Sequence, residues 1–233
     1  MRRKLLGVFA HPDDESFASG GTLAKYATQG IEVYLICASH GEAGQWSGIS
    51  HKGLKLGQVR EKELLKAAEI LGVKKVEFLG FVDGRINNRQ ILKLEEAILE
   101  KMQKIKPQVV ICPDVTGISG HLDHIAVSLA TTRAFSKAEE AKKLYHLVLP
   151  KSWAKRYNLP FFGFPDEMVT TKIKIARFWA KKVAAVKAHL TQKADWERFF
   201  KRENYPRIEN FYLVQSRISC LKFPENDLFA GLG

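Results

Sequence analysis

Short apolar runs alternate with amphipathic stretches over the first 150 residues of the chain. Leu5 to Ala10, Glu32 to Ala38, Val76 to Leu79, Val109 to Pro113 and Leu144 to Leu149 have the length and apolar composition of buried strands. Between them, Gly20 to Gln29, Val59 to Leu71, Arg89 to Ile105 and Leu122 to Phe135 show helical periodicity. Strands apolar on both faces and separated by helices predict a mainly parallel sheet flanked by helices on both sides, an α/β Rossmann-like sandwich. Beyond Leu149 an irregular stretch rich in Phe and Pro, 158–167, is placed to shape a pocket mouth or a subunit contact. The amphipathic pattern from Ile173 to Phe200 is predicted to pack back on the sheet. No repeat or biased linker divides the sequence, which reads as one domain over residues 1–233.

Composition narrows the function classes. At 233 residues and 45% hydrophobic the chain can bury a substantial core. Met1-Arg2-Arg3-Lys4 resembles the start of a signal peptide, but the apolar run after it is shorter than the roughly 7 to 15 residues of a secretory segment. No stretch approaches the ~20 apolar residues of a membrane span, so a soluble, cytoplasmic protein without membrane insertion is expected. Cys37, Cys112 and Cys220 are scattered, without a C-x-x-C pair, and read as structural thiols. The excess of 37 Lys+Arg over 25 Asp+Glu would attract nucleic acid, anionic lipid or an acidic substrate. The lysines of 172–187 instead interleave with an apolar stripe as on a solvated helix face, and no nucleic-acid partner is expected.

The chemistry lies in two clusters that follow predicted strands. Ala10-His11-Pro12-Asp13-Asp14-Glu15 sets a histidine beside three acids, which repel one another unless a cation or a proton holds them. Pro113-Asp114 leads within ten residues to Gly120-His121-Leu122-Asp123-His124. Ligands of parallel α/β sheets bind beyond the carboxyl ends of the strands, so the clusters would meet at one edge. Two imidazoles and a carboxylate with open positions suit Zn²⁺ in a hydrolase, and the same set suits Fe(II). His11 and Asp14 supply two ligands and His121 or His124 the third. One aspartate of the Asp13-Asp14 pair coordinates; the other faces water as general base. Plainer readings exist: Asp13 and Asp14 as a helix N-cap pair, and His121 and His124, three apart on one helix face, as cap or surface residues. Gly20-Gly21 lacks the rest of a dinucleotide fingerprint and is read as permitting close helix packing. Gly41, Gly44, Gly48, Gly53 and Gly57 mark a long loop that could form a lid. His40, His51 and His146 read as ordinary polar or surface residues.

Together the two clusters resemble the LmbE/PIG-L family of zinc-dependent N-acetylglucosaminyl deacetylases. Arg60, Glu63 and Ala67 before Leu71-Gly72 resemble its first long helix, and Lys182 to Gln192, ending His189-Leu190-Thr191-Gln192, resembles its final helix. The resemblance implies zinc on His11, Asp14 and His124, with Asp13 as general base. It also implies His121 in oxyanion stabilisation or proton transfer, and Asp123 and His189 in support. Arg60 and Asp83 would grip sugar hydroxyls by charge-assisted hydrogen bonds, although an Asp-Gly pair is also a common turn and Arg60 could be an exposed helix-start residue. Glu42 and Trp46 would line the sugar site. The implied activity is removal of acetyl from an N-acetylglucosamine-containing substrate by a homo-oligomer. The alternatives are hydrolysis of another amide such as a thiol-sugar conjugate, or metal or anionic-surface binding without turnover. Leu122 replaces the family's usual proline and Thr191 its usual serine; both bear on substrate preference.

Overall fold

The computed structural model describes residues 2–47, 53–86, 89–161, 163–201 and 205–232. A seven-stranded sheet runs in the order β3-β2-β1-β4-β5-β7-β6. Strands β1 (Lys4–Phe9), β2 (Glu32–Cys37), β3 (Lys75–Phe78), β4 (Val109–Pro113) and β5 (Lys143–Val148) are parallel. The chain winds outward from β1 to β3, then restarts at β4 on the other side of β1. The sheet therefore reverses its winding between β1 and β4, and the loops after these two strands are the ones that carry the histidines.

Helices α1 (Asp14–Thr28), α2 (Leu56–Leu71) and α7 (Trp179–Ala188) cover one face, over a core that includes Phe9, Leu23, Leu35, Leu64 and Ile111. Helices α3 (Ile91–Ile105) and α5 (Leu122–Lys137) cover the other, over Leu6, Val8, Ile98, Val110 and Phe135. The opposite burial of alternate β1 residues explains why that strand reads as apolar throughout. Cys37 and Cys112 are buried thiols, as expected, whereas Cys220 is exposed. Among the described residues no helix is long and apolar enough to cross a membrane.

The carboxyl-terminal third departs from the pattern expected of it. The 173–200 stretch is divided into strand β6 (Thr171–Lys174), a 3-10 turn, α7 and α8 (Lys193–Phe200). Strand β7 (Ile208–Ser216) pairs antiparallel with both β5 and β6. Helix α1 begins at Asp14, six positions before Gly20, because its first turns bury small and polar residues: Ser16, Ser19, Gly20 and Gly21. A Cβ on Gly21 would lie 2.6 Å from Ile175, so the glycine pair does permit close packing.

His146 on β5 is only 3% exposed, which makes it an interior polar residue, one of the two readings its sequence allowed, and not a surface one. Its Nε2 lies 3.3 Å from Thr132 Oγ1 on α5, and burial lowers its pKa to about 4. The folded state thus keeps His146 neutral while the unfolded chain protonates near pH 6.5. Its contribution is fully present above that pH and is lost as pH falls through 4, by roughly 3 kcal/mol. Urea unfolding between pH 7 and pH 4 should show His146→Gln losing less stability on acidification than wild type; equal losses would contradict the assignment.

Candidate active site

The first cluster occupies the turn from β1 into α1. Asp13 has φ 109°, a conformation that costs a non-glycine residue about 1–3 kcal/mol unless its surroundings impose it. They do so here from several sides. Glu15 Oε2 accepts the Asp13 N–H at 3.0 Å, and the Asp13 carbonyl accepts the amides of Ser16 and Phe17 that open α1. The Arg60 guanidinium donates to Pro12 O at 2.5 Å and pairs with Asp13 Oδ2 at 3.2 Å. Asp13 occupies the N-cap position without capping through its side chain; its carboxylate pairs with Arg60 instead.

The second cluster depends on a tight turn after β4. Asp114 Oδ1 accepts from the amides of Thr116 and Ile118 and from Thr116 Oγ1. The chain then passes through positive φ at Gly117, Ile118 and Gly120, within the single helical turn α4 (Gly117–Gly120), to reach His121. His121 caps α5 by accepting the Asp123 amide on Nδ1 at 3.2 Å. A neutral ring in that position carries its proton on Nε2. His124 Nδ1 lies 3.2 Å from the Gly117 carbonyl, so it donates there and presents the Nε2 lone pair.

The clusters meet at His11. Its Nδ1 is 3.1 Å from His124 Nε2 and 3.7 Å from Asp14 Oδ2, and His124 Nε2 is 3.3 Å from Asp14 Oδ2. On the other ring edge, Nε2 lies 2.9 Å from Asp83 Oδ1 and 3.3 Å from Asp123 Oδ2. A histidine that donates one nitrogen to carboxylates offers the other as a fixed, basic lone pair. Two imidazole nitrogens and a carboxylate oxygen this close form a donor set that a divalent ion fits. His11, Asp83 and Asp123 form a second cluster of possible ligands, but backbone amides of Ala43, Gly84 and Ile86 already occupy these carboxylates. His11, His121 and His124 also group together; there, His121 Nδ1 is committed to its cap.

The electrostatics follow this crowding. Burial alone would lower the pKa of His11, but Asp123, Asp83 and Asp14 outweigh it and raise it to about 10. For Asp14, burial is outweighed by His124 and His11, which hold its pKa below the usual value. Burial raises Asp13 to about 7 despite the opposing charge of Arg60. Burial and the neighbouring His11 and His124 lower His121.

Comparison with known proteins places this architecture. The family model described as PIG-L, GlcNAc-PI de-N-acetylase, matches residues 6–135. This chain belongs to the PIG-L family. A 1D-myo-inositol 2-acetamido-2-deoxy-alpha-D-glucopyranoside deacetylase from Acidothermus cellulolyticus is 34% identical, with 100% of this chain and 96% of the relative covered. A mycothiol S-conjugate amidase from Streptomyces coelicolor is 28% identical over 98% of this chain and 97% of its own length. In fold, the 4-carboxy-2-hydroxymuconate hydratase GalB from Pseudomonas putida KT2440 superposes with a TM-score of 0.72, at 21% identity over 94% of this chain and 99% of that one.

Not every residue singled out by the PIG-L resemblance reaches the cavity of about 650 Å³ that opens beside the histidines. Asp13, Asp14, His121 and His124 line it, with His11 directly behind. Arg60, expected to grip sugar, is 4% exposed and committed to Pro12, Asp13 and Gly41. Asp83, also expected at the sugar, is buried against His11, which holds its pKa down to about 2 against the opposing effect of burial. Glu42 is exposed and accepts the Asp83 amide; neither it nor Trp46 lines the cavity. The loop from Gly41 to Ser47 is pinned to the turn after α7 by Ser47, which donates from its amide and hydroxyl to Thr191 O. Gly48 and His51 lie outside the described residues.

Sequence reasoning missed how far the support extends. Glu15 is 1% exposed and meets His189, itself fully buried, at 2.9 Å between Oε1 and Nε2. Burial would lower the pKa of His189, but Glu15 and Asp13 raise it. Glu63 accepts both the amide and the hydroxyl of Thr191. These pairs span 174 and 128 positions, beyond the reach of local spacing. Removing one member of such a buried pair strands the other, at about 3–5 kcal/mol. A double-mutant cycle on urea unfolding with His189→Ala and Glu15→Gln should show strong coupling; additive effects would contradict it.

Proposed function

We propose that this protein is a Zn²⁺-dependent hydrolase that removes acetyl from an N-acetylglucosamine-containing substrate. The observation that carries the reading is the convergence of His11 Nδ1, Asp14 Oδ2 and His124 Nε2 on a cavity that Asp13 and His121 also line. It is supported by membership of a family described as de-N-acetylases and by the full-length deacetylase relative.

His11, Asp14 and His124 would hold the metal, with Asp83 and Asp123 fixing the His11 ring. When bound, the ion supplies Lewis acidity toward the acyl carbonyl and a lowered pKa for water; Fe(II) suits the same donors. Asp13 takes the proton of the attacking water, and its pKa of about 7 suits a base working near neutrality. His121 donates from Nε2 to the developing oxyanion. Asp13 then returns its proton to the departing amine. Arg60 and Glu15 keep the Asp13 carboxylate aimed throughout, so Arg60 positions the base and does not grip sugar.

Hydrolysis of another amide is the second reading, favoured by the similarity to the mycothiol S-conjugate amidase. Location in the cytoplasm and a homo-oligomeric state complete the proposal, and light scattering tests the latter.

Asp13→Asn should retain its metal and lose about 10² to 10⁴ in acetate release, the scale of a general base; wild-type turnover would remove Asp13 from the mechanism. His124→Ala should lose metal on dialysis, read by elemental analysis, and a full complement there would sink the ligand assignment.

A further inference from the structure

Positive charge is spread unevenly along this chain. Residues 151–207 hold 14 of the 37 Lys+Arg and only 5 of the 25 Asp+Glu, a surplus of nine within a net charge of +12. This stretch includes α6 (Lys151–Arg156), α7, α8 and the approach to β7. Helix α8 buries none of its eight residues. It presents Asp195 and Arg198 to the cavity, where they pair at 3.7 Å, and its aromatic residues Trp196, Phe199 and Phe200 are only half-buried.

These rings belong to a chain of aromatic contacts that reaches α6. Phe200 meets Phe199 at 5.2 Å between centroids, Phe199 meets Tyr205 at 5.0 Å, and Tyr205 meets Tyr157 at 5.3 Å. In the other direction Phe200 meets Trp179 at 6.4 Å. Cations lie over the rings: Arg207 is 3.5 Å from the Trp179 centroid, Arg156 is 5.7 Å from that of Tyr157, and Lys187 is 5.9 Å from that of Phe200. Lys155, Arg156, Lys187, Lys201 and Arg207 are exposed and make no ion pair among the described residues. Exposed cations seated on half-buried Trp, Tyr and Phe suit an anionic bilayer, where rings settle at the acyl boundary and cations meet phosphates. Single-stranded nucleic acid needs open ring faces on which bases stack. Here the rings of Phe199 and Trp179 stand at 79° and 90° to Phe200, and cations cover faces of Trp179 and Tyr157.

We propose that the surface formed by α6, α8 and the approach to β7 docks the protein peripherally on an anionic phospholipid bilayer. Each Lys or Arg held at such a surface is worth roughly fivefold in affinity, and the attraction is screened by salt.

The test is co-sedimentation of the full-length protein with vesicles of phosphatidylcholine alone and of equal parts phosphatidylcholine and phosphatidylglycerol, at low and high salt. The protein should bind the anionic vesicles selectively and release them as salt rises. Lys155→Glu with Lys201→Glu should weaken that binding by more than ~25-fold. Arg2→Glu with Lys104→Glu makes the same charge change at the opposite end of the sheet, where α3 ends beside the start of β1, and should weaken it by less than about fivefold. Phosphatidylglycerol with brominated acyl chains should quench tryptophan fluorescence, since Trp153, Trp179 and Trp196 all lie in this surface. Equal losses in the two double variants, or no preference for the anionic vesicles, overturns the inference. Tight binding of a single-stranded RNA oligonucleotide by protein that ignores both vesicles also overturns it and assigns the surface to nucleic acid.

Discussion

The His11 ring is gripped on both edges, and the site is built outward from that grip. Asp83 and Asp123 hold Nε2, so the ring cannot turn and Nδ1 faces Asp14 and His124. Buried carboxylates are costly without compensating charge. The charge available here is His11 itself, Arg60 against Asp13 and His189 against Glu15. Asp13 and Glu15 therefore each have a partner from a distant part of the chain, and Asp14 has His11 beside it in the turn and His124 from α5. The proposed metal would take the place of the proton that His11 holds, among donors already brought together and oriented.

This arrangement explains why the site draws on so much of the fold. The winding reversal between β1 and β4 brings His11 and His124 together across 113 positions. Asp83 arrives from the loop after β3, Arg60 from α2 and His189 from the end of α7. Helix α1 is held at its middle by Glu209 of β7, so an antiparallel strand one place in from the sheet's edge also anchors the helix that follows the catalytic turn. Function here depends on tertiary contacts more than on any one element.

The parallel half of the sheet was legible because its strands are buried on both faces and read as uninterrupted apolar runs. The metal-type clusters were legible because three consecutive acids after such a strand have no structural use that accounts for all of them. Helix α1 was read too short, since Ser16, Ser19, Gly20 and Gly21 bury a small, polar face that hydrophobic periodicity cannot register. Strand β6 was missed because Lys alternates with Ile at the start of a stretch that also suits a helix surface, and β7, beyond Phe200, was not read as an element at all. Arg60 and Asp83 were assigned to sugar by the family resemblance; their burial against Asp13 and His11 is visible only once distant segments pack. His121 turned out to serve both readings, as a helix cap through Nδ1 and as a cavity residue through the rest of its ring.

The most direct measurement is the position of the metal, from anomalous diffraction at the zinc edge on crystals of the zinc-loaded protein. The account predicts a single strong peak about 2.0–2.2 Å from His11 Nδ1, Asp14 Oδ2 and His124 Nε2, open to the cavity on its remaining side. A peak on the opposite edge of the ring, bound by His11 Nε2, Asp83 and Asp123, would contradict it.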